Sequence, residues 1–497
     1  MFQFTSRANG KQALSAGLSM IACVTAAALS YGHAADPVYT IGARTTVLGD
    51  GAGGLNQFPE TPIAILQTTP EYHVLIGNGL KTSYCKGSSM STLGAVPVAA
   101  LAPLPAGGKG YDQVSTHISS VWKDPGSTDI YAVFNANDSD DVKRISGPGI
   151  GFRGRYFSAG LAKSTNGGLT FTKIGPILSI PKNATADALQ GDAFATVVMD
   201  PTSTYLYAYY GDMYNAQLRH GVQTCVARAT VASKGMPGSW KKYYGGDFVT
   251  PGNSVIDTNT YTGAETDPVV TFPGLDSGFN GDAMYPHVSY SKKVGCYLMV
   301  YAVNFFDEIP QADSLGKFPP ADRSGIWISY SADAVHWGGQ HQLVKAISID
   351  YPGREVALHP TLVVNEDASS KSAIKATLYY GYNANMWLGK PATQYLASQS
   401  IDISGFDIAA GISNPNPKVN RGAPGFSVLP SGAGQWLMSF GRDVNDLRIV
   451  GVNGSAAGKV LRVGEGRYQL QVSRSAGPMF VQGKQNGVSF SSLLRLP

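Results

Sequence analysis

The sequence predicts an all-β protein built as a β-propeller, with five four-stranded antiparallel blades favoured and six left open. Three observations predict it. Residues 281–337 alternate apolar runs with turn signals: Gly281-Asp282-Ala283-Met284-Tyr285-Pro286-His287-Val288, then Cys296-Tyr297-Leu298-Met299-Val300-Tyr301, then Gly325-Ile326-Trp327-Ile328-Ser329-Tyr330, with a tail ending at Trp337. Aromatic and β-branched residues bounded by Gly, Pro and Asp read as successive strands, not helices. The unit recurs, most visibly where Gly191-Asp192-Ala193 repeats the Gly281-Asp282-Ala283 opening. Finally, 59 Gly and 29 Pro against 14% charged residues describe a turn-rich chain, and 26 Tyr suit half-buried strands. Repeats of this size made of short strands pack face to face around an axis.

Taken in order, residues 1–35 are expected to be a secretory signal peptide. Arg7 and Lys11 precede a mostly apolar stretch at 16–28, and Gly32-His33-Ala34-Ala35 offers small residues for cleavage. The rest, 36–497, is expected to form a single propeller domain. Its first unit holds strands at 45–48 and 72–76, separated by a glycine-rich loop at 49–56 that lacks the Gly-Lys-Ser/Thr of a phosphate loop. The second unit runs through 114–122, 130–134 and 160–171, the third through 191–200, 206–210, 226–230 and Trp240. The fourth is the unit described above, and the fifth spans 353–364, 376–380 and 395–398. Strands at 426–429, 436–440 and 448–452 are expected to close the ring by completing the first unit, or else to form a sixth blade.

Composition excludes some classes. Without the signal's two basic residues, 36 basic residues face 34 acidic ones, which argues against nucleic acid or an anionic membrane as partner. No later stretch reaches the roughly 20 apolar residues of a membrane helix. The expectation is a secreted or periplasmic protein, and a monomer. Cys85, Cys225 and Cys296 could form one bridge at most; their spacing suits no metal site, and they are expected to pack within strands. The oxygen-rich run at 135–141 could hold a structural calcium, but it lacks the sixth-place Gly and distal Glu of an EF-hand loop and reads as a solvated loop. No cofactor is required.

Two turns carry a resemblance. Ser164-Thr165-Asn166-Gly167-Gly168-Leu169-Thr170-Phe171 resembles the Asp-box of sialidases and related propellers, and Ser331-Ala332-Asp333-Ala334-Val335-His336-Trp337 looks like its shortened form. Their role is structural, the Asp or Asn capping a hairpin while the aromatic anchors it. With the repeat pattern, they make most of residues 39–475 resemble the five-bladed glycoside hydrolases of families 43 and 32. The resemblance implies an axial pocket fed by the first polar residues of each innermost strand. These are Asp50, His117, Asp192, Asp282 with His287, and Glu355 with Arg354 and His359.

Carboxylates meeting from separate blades are what glycoside hydrolysis needs, one to protonate the leaving oxygen and one to activate water or attack the sugar. On that analogy Asp50 is the expected base or nucleophile, Asp192 takes the place of the third-blade acid, and Glu355 joins them. His117, Asp282, His287, Arg354 and His359 would bind substrate, and Trp387 and Tyr382 could stack on a sugar ring. A Gly-Asp pair before a strand is also an ordinary turn, and a histidine beside a proline an ordinary core residue. The function expected is therefore hydrolysis of a poly- or oligosaccharide, with a carbohydrate-binding lectin, a polysaccharide lyase and a sialidase as alternatives. The last would want three clustered arginines, and the first unit has Gln57-Phe58-Pro59-Glu60 where their motif would begin.

Overall fold

The computed structural model describes residues 37–405, with breaks at 57, 105–110, 140–154, 181–189, 214–220, 253–265, 272, 274–280, 305–322, 347–354 and 384–393, and strand backbone between 426 and 494. The expected signal peptide lies outside the described residues. Five antiparallel blades follow one another along the chain, II and III being joined into one sheet by a short parallel pairing of 190–191 with 156–157. Blade I is Ala64–Gln67, Tyr72–Asn78, Lys81–Gly87 and Gly94–Leu101. Blade II is Ser115–Lys123, Ile130–Ser139, Arg155–Ser164 and Thr172–Leu178. Blade III is Gln190–Met199, Tyr205–Asp212, Gln223–Thr230 and Lys241–Tyr244, extended by Asp247–Pro251 and Pro268–Val270. Blade IV is Asp282–Ser291, Cys296–Asn304, Gly325–Ser331 and Gly338–Lys345. Blade V is Val356–Asn365, Ala373–Asn383 and Gln394–Ser404, with Val38–Ile41 and Thr45–Leu48 on its outer edge.

The first strand of each blade is innermost, and a ring of hydroxyl bonds joins these strands in order. Thr61 Oγ1 donates to the Ile118 carbonyl (3.2 Å), and Ser119 Oγ to that of Ala195. Thr196 Oγ1 donates to Pro286 O (2.7 Å) and Ser289 Oγ to Leu362 O (2.6 Å). Thr361 Oγ1 then accepts from the Ile63 N–H (2.9 Å), returning to blade I. The apolar core is divided the same way. Leu75, Ile118 and Phe134 fill the space between blades I and II; Trp122, Leu161, Ala195 and Trp240 that between II and III. Tyr209, Val226, Met299 and Tyr301 separate III from IV, Val300, Ile326, Leu362 and Leu378 separate IV from V, and Leu48, Ile63, Val74 and Leu396 separate V from I. Five interfaces closing on themselves make a five-bladed propeller.

Two expectations about closure need correction. Residues 45–48 do not open blade I; they pair with residues 396–398 and finish blade V. The C-terminal strands do not close the ring. Phe426–Gly432, Gln435–Phe440, Gly458–Gly464 and Arg467–Val472 form one sheet, and Asn445–Gly451, Met479–Gln485 and Val488–Leu494 another, with no rung to a blade among the described residues. The physical reason is that the outer edge of the Gln394–Ser404 strand is already taken by the N-terminal segment, and blade I is complete without help.

Both Asp-box turns take the expected form. Asn166 Oδ1 accepts from Thr170 N (3.1 Å), and Ser164 Oγ from Gly168 N (2.9 Å), where Gly167 and Gly168 have φ of 73° and 91°. Asp333 Oδ1 accepts from Val335 N (3.0 Å) and His336 N (2.8 Å). Cys85, Cys225 and Cys296 are buried in strands of three different blades and form no disulfide with one another. Asn135 and Asn137 are buried within the Ile130–Ser139 strand, so this part of the oxygen-rich run is not a solvated loop.

Candidate functional site

Each inner strand of blades III, IV and V carries a β-bulge at the same depth, after Ala193, Met284 and Leu358. The extra residue is in each case a large non-glycine side chain in left-handed backbone: Phe194 (φ 54°), Tyr285 (55°) and His359 (55°). Such a conformation costs of order 1–3 kcal/mol per residue, and its recurrence around the axis marks a place where side chains are being aimed. They meet. The rings of Phe194 and Tyr285 are 4.2 Å apart and those of Tyr285 and His359 4.3 Å, edge to face, with Phe157 of blade II packed on Phe194 at 5.6 Å.

Polar groups surround this cluster. Burial, and then the charges of Asp282 and Glu60, push the Tyr285 phenol up. Asp282 is buried and stands at the start of blade IV's inner strand; Glu60 is half-buried and precedes that of blade I. His359 is driven down to about 3 by burial and then by His117, so the two imidazoles are neutral neighbours. His359 Nδ1 is buried with no hydrogen-bond partner among the described residues. His117 is lowered to about 4 by burial, and its Nε2 donates to Gly79 O at 2.7 Å. Glu355 is half-buried at the start of blade V's inner strand and faces the Tyr382 phenol. Among the described residues no cluster of His, Cys, Asp and Glu could hold a metal ion.

The expected site residues divide accordingly. His117, Asp282 and His359 lie around the ring cluster at the axis, while Glu355 precedes blade V's inner strand and is tied to Tyr382. Asp50 does not: it is exposed in the turn after Thr45–Leu48, and the short helix Ala52–Gly54 that follows packs on the outermost strand of blade I. The acid that precedes the inner strand of blade I is Glu60. Asp192 is fully buried in an ion pair, its Oδ2 2.6 Å from Lys242 Nζ, itself fully buried. The Gly-Asp-Ala repeat is offset by one residue against the bulge, which falls two residues after Asp192 but three after Asp282. A one-residue offset turns a strand side chain to the opposite face. His287 belongs to the ring of inter-blade bonds: it follows the bulge as Thr196 and Thr361 do, and its Nδ1 accepts from Leu362 N (3.3 Å). Arg354 and Trp387 lie outside the described residues, and Tyr382 sits in a strand of blade V.

Glu60, Phe194 and Tyr285 were not singled out by the sequence reading. A usable signal existed for the bulges. The first residue after each of these bulges, and after a fourth at Ser119 in blade II, stands four positions before a residue that caps the next hairpin: Ser120 and Asp124, Thr196 and Asp200, His287 and Ser291, Thr361 and Asn365. Each of those four caps accepts from a backbone N–H of its turn.

No protein-family model matches this sequence, and no curated protein does. Solved structures with a similar chain path include a thermostable family-43 glycoside hydrolase, 12% identical over 72% of this chain and 91% of that one, with a TM-score of 0.40. Another is an alpha-L-arabinofuranosidase from Lactobacillus brevis, 12% identical, covering 69% and 90%, TM-score 0.40. A third is an N-acetylgalactosamine deacetylase from F. plautii, 10% identical, covering 77% and 99%, TM-score 0.44.

Proposed function

We propose that this chain is an exported glycoside hydrolase that cleaves a poly- or oligosaccharide at the axial mouth of the propeller. The observation that carries the reading is the meeting of the bulge residues Phe194, Tyr285 and His359 from three blades, with Asp282 buried at the start of blade IV's inner strand and half-buried Glu60 ahead of blade I's. Hydrolysis of a glycosidic bond needs two carboxyl groups in unlike settings. Asp282, buried, suits the acid that protonates the leaving oxygen. Glu60, which solvent reaches, suits the base or nucleophile. Glu355 supplies a third carboxylate, accepting hydroxyls of the bound sugar, and the neutral imidazoles of His117 and His359 add uncharged hydrogen-bonding groups beside an aromatic surface.

The test is release of reducing ends by the purified protein from a panel of plant, fungal and bacterial-envelope glycans. Glu60→Gln and Asp282→Asn are each expected to cut turnover by about 10²–10⁴-fold, the usual worth of a general acid or base. Asp50→Asn should leave it unchanged. Binding of a glycan that stays intact would overturn the hydrolase in favour of a lectin, and an ultraviolet-absorbing unsaturated product would overturn it in favour of a lyase.

A further inference from the structure

Arg44 lies in the short connection between the two N-terminal strands that finish blade V. Its guanidinium carbon stands 3.7 Å from the centroid of the Tyr382 ring, a close cation–π contact. Tyr382 is buried, and Tyr395, directly opposite it on the next strand, packs on it at 5.2 Å between ring centroids. On its other side Tyr382 pairs with Ala357. Side chains two apart on a strand share a face, so Glu355 is the diagonal neighbour of Tyr382, and the phenol reaches its carboxylate. The order across the blade is therefore Arg44, Tyr382, Glu355, running from the N-terminal segment to the axial mouth.

We propose that Tyr382 is a positioning residue that fixes the Glu355 carboxylate at the mouth, and that Arg44, delivered by the N-terminal segment, clamps Tyr382 in place. The proposal rests on the reading of the mouth as the sugar-binding site, with Glu355 in contact with the sugar. The phenol O–H donates to the carboxylate, leaving the outer lone pairs free to accept sugar hydroxyls. The cation over the ring face restrains the ring. Blade completion and substrate binding are thus linked: a chain whose N-terminal strands are not docked lacks Arg44, and Glu355 loses its support.

Two arms separate failure of this proposal from failure of the functional reading. The first needs no substrate and is a thermal double-mutant cycle of Tyr382→Phe with Glu355→Gln, and of Arg44→Met with Tyr382→Phe. The proposal expects each pair to be coupled, the double variant melting higher than the sum of the single losses predicts. Additive losses in both cycles would overturn it whatever the protein's activity. The second arm uses the glycan found active, or bound, in the panel. Tyr382→Phe should raise KM or Kd by roughly tenfold, from the loss of a hydrogen bond to a charged group, with kcat changed far less. Arg44→Met should raise it roughly threefold, Arg44→Lys less, and Arg44→Met should add nothing in the Tyr382→Phe background. Unchanged KM in Tyr382→Phe, while Glu60→Gln still abolishes turnover, would leave the hydrolase standing and remove the positioning role.

Discussion

The inner strands of blades III and IV open with the same three residues and use them differently. In blade IV, Asp282 stays at the mouth, its Oδ1 accepting from Val222 N (2.7 Å) and its charge felt by Tyr285. In blade III, Asp192 turns into the blade and closes on Lys242. Both sites begin with a glycine pressed against the previous sheet: Gly191 pairs in parallel with Phe157, and Gly281 O lies 2.1 Å from where a Cβ on Gly221 would stand. The difference is where the bulge falls, one residue earlier in blade III. Letter identity in a repeat therefore does not give side-chain equivalence; the bulge does. The same distinction separates the two histidines beside prolines. His359 occupies a bulge and looks at the axis, while His287 follows one and ties blade IV to blade V.

The largest expected effect is at Lys242, which holds Asp192 inside blade III. Lys242→Met leaves Asp192 buried beside Asp212, its direct cross-strand partner, without its cation. Removing one member of a buried pair typically costs about 3–5 kcal/mol. Urea unfolding should show that loss in Lys242→Met, and part of it should return in Asp192→Asn/Lys242→Met. Asp282→Asn should cost less than about 1 kcal/mol, because an asparagine Oδ1 still accepts from Val222 N. A stable Lys242→Met would mean that Asp192 is not committed to structure and could serve the mouth after all.

Acid provides the next test. His117 and His359 are neutral in the fold, held at about 4 and about 3, against an ordinary value of 6.5. Their folded values lie below the unfolded one, so the unfolded chain binds more protons between them. Stability is intact above pH 6.5 and drains as pH falls toward 4. For His117 alone the loss is on the order of 3 kcal/mol across that window. His117→Gln should flatten the slope of stability against pH between 6.5 and 4. An unchanged slope would mean that His117 is already solvated and reachable by protons.

The sequence announced the blades because strand periodicity and turn residues are local. The runs expected to open blades II to V became the strands Ser115–Lys123, Gln190–Met199, Asp282–Ser291 and Val356–Asn365, and the Ser164 and Ser331 turns closed as their residues demanded. Closure was not local. Which edge the segment 45–48 would choose depended on a vacancy beside residues 396–398, some 350 positions away. The site suffered from the same blindness at smaller scale. Asp50 lies in a glycine-rich loop that looks functional in sequence, whereas Glu60 sits in an ordinary Pro59-Glu60-Thr61-Pro62 approach to the strand. Only the pairing of Ala64–Gln67 with Tyr72–Asn78 shows that the latter leads into an inner strand.

The mildest expected effect lies in the last turn of blade IV, on its outer side. Asp333 there is held low chiefly by the His336 side chain and backbone against the opposing effect of burial, and His336 is raised in return. The Nδ1–Oδ2 separation is 2.7 Å, but the His336 side chain is 79% exposed. A solvated pair of this kind contributes roughly 0–1 kcal/mol, so His336→Ala should lower stability by less than about 0.5 kcal/mol. The two shifts give the pair its window: its contribution is full between the ordinary carboxylate and histidine values, fades as pH rises through the raised His336 value, and fades as pH falls toward the lowered Asp333 value. Asp333→Ala should cost more than His336→Ala, since it also strips acceptors from the Val335 and His336 N–H groups. Equal losses in the two variants would assign the turn's stability to the ion pair instead of the backbone cap, and would make this Asp-box depend on charge where the Asn166 turn of blade II does not.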